Sequence, residues 1–535
     1  MHVLIAGGGT AGWMTASYIK RVFGERVKVT LVESPRIGTI GVGEATFSTL
    51  KLFFDRLGLP ETDWLVKVNG SYKLAIRFQD WTTERGHFYH PFERMPYVGG
   101  AYLPEWWQKL SPRGEAFDYS CFITPHLCDA QRAPRFLDGT LLQSDLADHV
   151  YPDQLNPDSS LETHRVQCPY GYHFDAGLLA AYLRDYAVAR GVTHIGDDIV
   201  SVEKTDSGDI AAVVTREHGR LAADLFVDCS GFRALLIGDA MEEPFISYKD
   251  SLFCDAAVAM QVPSEPDVDG IAPYTTAHAQ DAGWIWRIPL YSRDGSGYVY
   301  SSRHIDAAEA ERTLRSYHGA RAEGIEARHI KMRVGRHERV WVRNCMAIGL
   351  CAGFVEPLES TTIFFIQQAI EELCANFPSP AMEPALRDRV NKSLSDCVDG
   401  VRDFLVLHYF ASDRSDTPFW RDVQTKLVVP EHLRESLRLW QDRLPTPRTV
   451  NHAYHGFDAY SWTTILLGLH KLTGQSPPAL SYLDPTPAQQ AFEDVAYRAK
   501  KAVADLPSVY EYLTAMRNGL KTRRRRSAPR VRAAS

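Results

Sequence analysis

The 535-residue sequence predicts an α/β protein, a Rossmann-type dinucleotide-binding core joined to a largely helical part. Three observations carry that prediction: a glycine-patterned βαβ unit at the N-terminus, two later strand-and-turn segments rich in small residues, and a region from 380 to 520 that reads as mostly helical. With 45% hydrophobic and 23% charged residues, the chain has enough apolar material for a large core and enough charge to stay in solution.

The first unit is "HVLIAGGGTAGWMTASYIKRVF", a short buried strand, a glycine turn and a helix, followed by the strand "VKVTLVES" ending at Glu33. Gly7, Gly9 and Gly12 form G-x-G-x-x-G, and the acid lies about 20 residues beyond, as dinucleotide binding requires. Gly7 permits the tight turn, Gly9 lets the backbone approach a pyrophosphate, Gly12 lets the helix pack on the strand, and Glu33 accepts from ribose hydroxyls. An acid rather than an arginine favours a ribose without a 2′-phosphate, so FAD or NAD before NADP. A tight turn holding no nucleotide is the competing reading, and strand, helix and acid together disfavour it.

A second loop, "GTIGVGEATFSTL", places Gly38, Gly41, Gly43, Glu44 and Thr46 ahead of a helix and suits an extended ligand pressed against backbone. "SYKLAIRF" alternates Tyr72, Leu74, Ile76 and Phe78 on one face of a strand with Lys73, Ala75 and Arg77 on the other. "LAADLFVDCSGFRALL" is a strand ending at Cys229, Ser230 and Gly231. "GWIWRIPL" puts Trp284 and Trp286 on one face of a strand that closes on a proline. "NCMAIGLCAGFVEPLESTTIFFIQQAIEEL" reads as a strand, a small-residue turn and a helix starting near Ser360 or Thr361, whose unpaired N–H groups make a candidate anion or oxyanion site. The layout assigns residues 1–80 and 166–380 to the nucleotide-binding core, 81–165 to an aromatic insertion contributing to the substrate pocket, 381–520 to a helical substrate-binding part and 521–535 to a disordered basic tail.

Charge excludes some partners. The net charge is −7, but seven of the basic residues sit in the last fifteen positions, and setting them aside leaves −14. A nucleic-acid-binding body needs the opposite balance. No apolar run approaches the roughly 18 residues of a membrane span, and "MHVLIAGGG", a strand from the second residue, is read as leaving no room for a signal peptide. Nine scattered cysteines (Cys121, Cys128, Cys168, Cys229, Cys254, Cys345, Cys351, Cys374 and Cys397) form no C-x-x-C pair and fit reduced thiols in the cytoplasm.

"GGGTAGWMTA", "GVGEAT", the lysine of "SYKLAIRFQDW", "DCSGF", "GWIWRIP" and "FVEPLEST" occur in the order found in flavin-dependent halogenases of the tryptophan halogenase type, which the chain resembles from residue 1 to about 420 and more weakly beyond. W-x-W-x-I-P, here Trp284, Trp286, Ile288 and Pro289, is the most specific part. The resemblance implies a flavin monooxygenase-like FAD-binding core. It implies reduced FAD supplied by a separate flavin reductase, O2, a chloride or bromide oxidised to hypohalous acid beside the flavin, and an internal tunnel to a small aromatic substrate. No metal is implied, and a homodimer is compatible.

Residue by residue, the resemblance makes Lys73 catalytic, as an ammonium that hydrogen-bonds hypohalous acid or an amine that forms a haloamine. Glu359 would stabilise the arenium cation or take its proton. Gly7, Gly9, Thr10, Ala11, Gly12, Glu33, Gly41, Val42, Glu44, Ser360 and Ile363 would hold FAD, and Thr361 and Thr362 the halide. Trp284 and Trp286 would keep substrate away from the flavin. His90 and Phe92 would stack on one side of the substrate ring and Trp462 on the other.

Two departures qualify this. Thr362 stands where the family usually has glycine, altering the room around the halide. Relatives that act on free tryptophan carry a Tyr- and Glu-rich segment, whereas "PTPRTVNHAYHGFDAYSWTTILLGLH" contains no Glu and only Asp458 as an acid. Since a buried amino-acid ammonium or carboxylate needs a partner, the expected substrate is an electron-rich, indole-containing aromatic other than free tryptophan, with a peptide- or carrier-bound form compatible. The alternatives are a flavin monooxygenase that hydroxylates an aromatic substrate, disfavoured because "GLCAGFVEP" lacks the usual G-D-A aspartate, and a non-catalytic FAD- or partner-binding protein, disfavoured by intact Lys73 and Glu359.

Overall fold

The glycine unit folds as its spacing predicts, into strand His2–Ala6, helix Thr10–Phe23 and strand Lys28–Glu33. The structure is a computed structural model describing residues 1–38, 43–110, 114–142, 169–450, 456–471 and 476–519. The basic tail expected at 521–535 lies outside the described residues. Gly7 has φ +117°, and a Cβ there would stand 2.3 Å from the Cys229 carbonyl oxygen. A Cβ on Gly12 would stand 1.9 Å from the Gly7 carbonyl oxygen, so helix and strand touch through the glycines.

Among the described residues two sheets dominate. The first is six-stranded, in the order Thr193–Gly196, Lys28–Glu33, His2–Ala6, Leu225–Asp228, Cys345–Ala347, Trp341–Val342. Its first five strands are parallel and the last is an antiparallel hairpin partner. The second has seven strands, in the order Arg328–Lys331, Ala256–Pro263, Arg293–Tyr300, Gly283–Pro289, Tyr274–Gln280, Ala75–Gln79, His87–Pro91. It is antiparallel except where Ala75–Gln79 lies parallel to Tyr274–Gln280. The architecture is therefore the α/β, Rossmann-type one expected.

"SYKLAIRF" departs from the single alternating strand read in the sequence. Ser71–Lys73 pairs with Gly171–Phe174 in a small sheet, while Ala75–Gln79 belongs to the seven-stranded one. Leu74 is the step between them: its amide donates to the Pro273 carbonyl at 2.7 Å and its carbonyl accepts from the Phe92 amide at 3.0 Å. Lys73 thus sits where two sheets meet, fully buried.

The helical part contains Pro384–Ala411, Pro418–Lys426, Glu431–Trp440, Ala459–Gly468, Thr486–Asp505 and Val509–Arg517. Val390, Leu394, Cys397, Val401, Phe404 and His408 lie three or four apart along the first of these and form its buried stripe. Val401 and Phe404 join a core with Trp284 and Trp286 of the seven-stranded sheet, so the helix is packed against the tryptophan strand. No described helix is long and apolar enough to cross a membrane. The eight described cysteines form no disulfide.

The strand carrying Lys73 is anchored from behind by an ionic cluster. Glu61 accepts the hydroxyls of Tyr72, Tyr170 and Tyr172 at 2.7, 2.8 and 2.7 Å and pairs with Arg135 at 3.0 Å. Burial raises the Glu61 carboxyl, but Arg135 and the three hydroxyls outweigh it and hold the carboxyl below its ordinary value. Its contribution is therefore present above the ordinary carboxyl range and fades as the pH falls through the depressed pKa. Glu61→Leu strands a buried guanidinium and three hydroxyls, so denaturant melts at pH 7 are expected to show a loss of about 3–5 kcal/mol.

Candidate active site

A cavity of about 810 Å³ opens at the ends of His2–Ala6 and Lys28–Glu33. Gly7, Gly9, Thr10, Ala11, Glu33, Glu44 and Ile363 line it, and Gly12 lies beneath, where it packs the helix on the turn. Gly41 and Val42 lie outside the described residues. A Cβ on Gly9 would meet nothing within 4 Å, so the backbone is bare toward the cavity. With the first helix turn beside it and the Glu33 carboxylate 3.1 Å from His194 Nε2, this cradle fits the pyrophosphate and ribose of a dinucleotide. The volume lies in the usual range for ligand sites, about 300–1,000 Å³.

A second, mostly apolar cavity of about 120 Å³ adjoins it, sharing Glu44, Phe232, Leu350 and Thr362. Trp286, Ile288, Phe354 and Ser360 complete its wall, an apolar lining that fits the face of an aromatic ring. Burial, with Asp175 nearby, pushes the Glu44 carboxyl up to about 7.

The turn Pro357–Glu359 ends at Ser360, whose left-handed backbone (φ 61°, ψ 40°) sends the chain into helix Thr362–Ala375. Lys73 Nζ donates to Ser360 Oγ at 2.9 Å and lies 5.1 Å from the centre of the Phe92 ring. Burial lowers the Lys73 pKa to about 7 against the opposing pull of Glu359. Glu359 is 1% exposed. Its Oε1 lies 2.9 Å from His90 Nδ1 and 2.9 Å from His408 Nε2, and its Oε2 lies 3.1 Å from His90 Nδ1. Burial pushes this carboxyl up, yet the two imidazoles pull harder and hold it at about 2. Thr361, fully buried, stands at the N-cap position of the helix without a side-chain capping bond, and its Oγ1 has no partner among the described residues.

The tryptophans do not stand side by side at the cavity. Trp286 lines it, its Nε1 unpaired among the described residues, while Trp284, 6.4 Å away between ring centres, turns its Nε1 to Glu356 Oε2 at 3.2 Å. Small neighbours make room: Ala277 and Gly297 flank Trp286, and Ala279 and Val299 flank Trp284. A Cβ on Gly297 would stand 2.2 Å from the Trp286 ring. Tyr409 also donates to Glu356 Oε2. Fully buried, Glu356 is pushed up to about 7.

His90, 6% exposed, has Phe404, Tyr460 and Phe457 as ring neighbours, at 5.9, 6.2 and 6.4 Å. Trp462, expected as the second face of the substrate sandwich, packs on Phe404 at 4.9 Å and Trp440 at 5.3 Å. Arg94 and Asp458 meet at 3.5 Å at the rim of this aromatic cluster, and the charges of both are felt by Tyr460. Arg94 Nε is otherwise unpaired among the described residues.

Sequence reading did not pick out His408, Glu356, Arg94 or the Phe404–Phe457–Tyr460 cluster. His408 had one signal, a polar residue inside the apolar helical run "FLVLHYF". Glu356 had another, a second acid three residues before Glu359.

A dinucleotide cradle, an adjoining apolar slot and a buried lysine and carboxylate beyond it define a flavin-type redox enzyme. The family model for tryptophan halogenase matches residues 2–485. Tryptophan 6-halogenase SttH of Streptomyces toxytricini is 50% identical over 96% of this chain and 98% of that protein. The 7-chloro-L-tryptophan 6-halogenase KtzR of Kutzneria sp. is 49% identical over 96% of this chain and 99% of its own. The crystal structure of SttH superposes with a TM-score of 0.92, covering 96% of this chain and 99% of that one. The chain belongs to the tryptophan halogenase family and is a flavin-dependent halogenase, an enzyme class that works with a separate flavin reductase and an aromatic substrate.

The raised Glu356 carboxyl carries a stability signature. Between its ordinary value and about 7 the folded state holds a proton that the unfolded state has lost, so stability falls as the pH rises through that window. Glu356→Gln keeps an acceptor for Trp284 and Tyr409 but has no charge to desolvate. Thermal melts across pH 4–9 are expected to show the variant gaining on the parent as the pH rises from about 4.5 to about 7 and holding that gain above, by up to about 3 kcal/mol.

Proposed function

We propose that this enzyme halogenates the indole ring of free tryptophan, at carbon 6, using Lys73 and Glu359. The observation that carries this reading is the buried sequence Lys73–Ser360–Glu359, which links the apolar slot to the aromatic cluster around His90. The name of SttH, at 50% identity, supports the substrate and the position, and that of KtzR, at 49%, supports the position on an already chlorinated tryptophan. The sequence expectation disfavoured free tryptophan because it found one acid, Asp458, near the substrate. Arg94, brought opposite Asp458 from 364 positions away, changes that argument: the pair offers a cation for the carboxylate and an anion for the ammonium of a zwitterion.

When bound in the larger cavity and its slot, reduced FAD supplies, with O2, the oxidation of halide to hypohalous acid. Thr361, whose hydroxyl is unpaired among the described residues, and Thr362, at the first turn of helix Thr362–Ala375, hold the halide. Trp286 walls the slot, and Glu356 fixes Trp284 behind it. The Lys73 ammonium donates to the oxygen of hypohalous acid, drawing electrons from the halogen. As carbon 6 bonds the halogen, the O–X bond breaks and the oxygen leaves as water with the lysine's proton. The negative charge of Glu359 stabilises the arenium cation and receives its proton. The reaction takes place in the cytoplasm.

Purified protein with FAD, a flavin reductase, NADH, O2 and bromide should give a singly brominated tryptophan, assigned to carbon 6 by NMR, and Lys73→Ala should abolish it. Oxygenated tryptophan without bromine would contradict the reading. Because the ammonium form of Lys73 is lost as the pH rises through about 7, the bromination rate should fall above that pH. A rate that rises through pH 7 would favour the haloamine route. Arg94→Ala should lower kcat/KM for tryptophan by about tenfold or more while leaving bromination of indole unchanged. Equal losses on both substrates would remove Arg94 from substrate binding.

A further inference from the structure

Among the described residues Glu359 is faced from four elements: by Lys73 of Ser71–Lys73, His90 of His87–Pro91, His408 of Pro384–Ala411 and Tyr460 of Ala459–Gly468. Of these, the His408 ring has the least freedom. It is fully buried, and its Nδ1 lies 2.7 Å from the Phe404 carbonyl oxygen, one helical turn back. A carbonyl only accepts, so Nδ1 carries hydrogen. In a neutral ring Nε2 would then be a bare lone pair facing Glu359 Oε1 at 2.9 Å, two acceptors against each other. One proton must lie between them. It sits either on Nε2, making an imidazolium–carboxylate pair, or on the carboxyl, making a neutral pair.

We propose that His408 is a positioning residue that acts as an imidazolium, pinning Oε1 of Glu359 so that the carboxylate stays charged and Oε2 is left to serve the reacting ring. The inference rests on the role given to Glu359 above. Oε1 already accepts from both imidazoles, whereas among the described residues Oε2 shares only the longer arm of the His90 Nδ1 contact at 3.1 Å. When the arenium C–H bond breaks, its electron pair restores the aromatic ring and the proton goes to Oε2. The depressed Glu359 pKa favours the charged form of the pair. The same clamp makes Glu359 a weak base, so its main service is to the cation, before the proton leaves. His90 reaches both carboxylate oxygens and therefore cannot choose between them; the choice falls to His408.

The test compares His408→Phe, His408→Gln and Glu359→Gln in the holoenzyme, after FAD binding and melting temperature have confirmed that each is folded. His408→Phe is expected to lower kcat for tryptophan bromination by about 10–100-fold with KM changed by less than about threefold. Its acid limb should move up by about 1–3 pH units, because the carboxylate has lost a charged partner. His408→Gln, whose amide can still donate to Oε1, should recover a substantial part of kcat. A His408→Phe enzyme within roughly twofold of the parent and with an unshifted acid limb would overturn the proposal, as would a His408→Gln enzyme no better than His408→Phe. If Glu359→Gln itself brominates at the parental rate, the role of Glu359 fails. If it is inactive while His408→Phe matches the parent, only the His408 inference falls. Neutron diffraction from deuterium-exchanged crystals tests the proton directly. Deuterium on both ring nitrogens of His408 is expected, and deuterium on the Glu359 carboxyl would overturn the imidazolium.

Discussion

Keeping a lysine and a glutamate charged out of water is the constraint on which this active site depends. An isolated buried charge is costly enough that the group normally gives it up. Lys73 and Glu359 are 0% and 1% exposed, so the surroundings must settle the ionisation of each. For Glu359 that means two imidazoles from different parts of the fold. For Lys73 it means a single hydroxyl, a ring face and the distant pull of Glu359, and the lysine is left near neutrality in its titration. The asymmetry suits the division of labour proposed for them: a lysine that gives up a proton readily and a carboxylate that stays charged.

The rest of the architecture serves to bring those groups together. Leu74 carries the chain from one sheet to another and so puts Lys73 at their junction. The left-handed Ser360 turn sets Glu359, the Lys73 partner and the first turn of the next helix in consecutive positions. The tryptophan strand closes the other side of the slot. Its indoles fit because their cross-strand neighbours are alanine, glycine and valine, and because Glu356 and Tyr409 tie Trp284 to the long helix. Glu356 and Glu359, three residues apart, are buried alike but bonded differently, and their pKa values separate to about 7 and about 2. Burial governs the first, and hydrogen bonds from two imidazoles govern the second.

Much of the fold was legible in the sequence, for local reasons. Gly7, Gly9, Gly12 and Glu33 lie within one βαβ unit, where spacing along the chain is spacing in space. Lys73, Glu359 and the tryptophan strand were recognisable from the ordered motifs that the family shares. What the sequence hid depends on tertiary contact. His408 lies 49 positions from Glu359, and Arg94 lies 364 from Asp458; no periodicity links such pairs. Asp458 was therefore read as the sole acid of its segment, and its pairing with Arg94 did not enter that reading. "SYKLAIRF" alternates as a strand should, and nothing in that pattern marks Leu74 as the place where it changes sheets.

The central claim is that the Ser360 turn separates an oxidant-forming slot from a chamber in which Lys73 and Glu359 flank an indole. A crystal structure of the enzyme with L-tryptophan and bromide bound tests it most directly. The account predicts the indole beside His90, with carbon 6 within about 4 Å of Lys73 Nζ, Glu359 on the same edge of the ring, and the amino-acid ends on Arg94 and Asp458. An indole lodged in the slot against Trp286, or one whose reacting edge faces away from both Lys73 and Glu359, would contradict it.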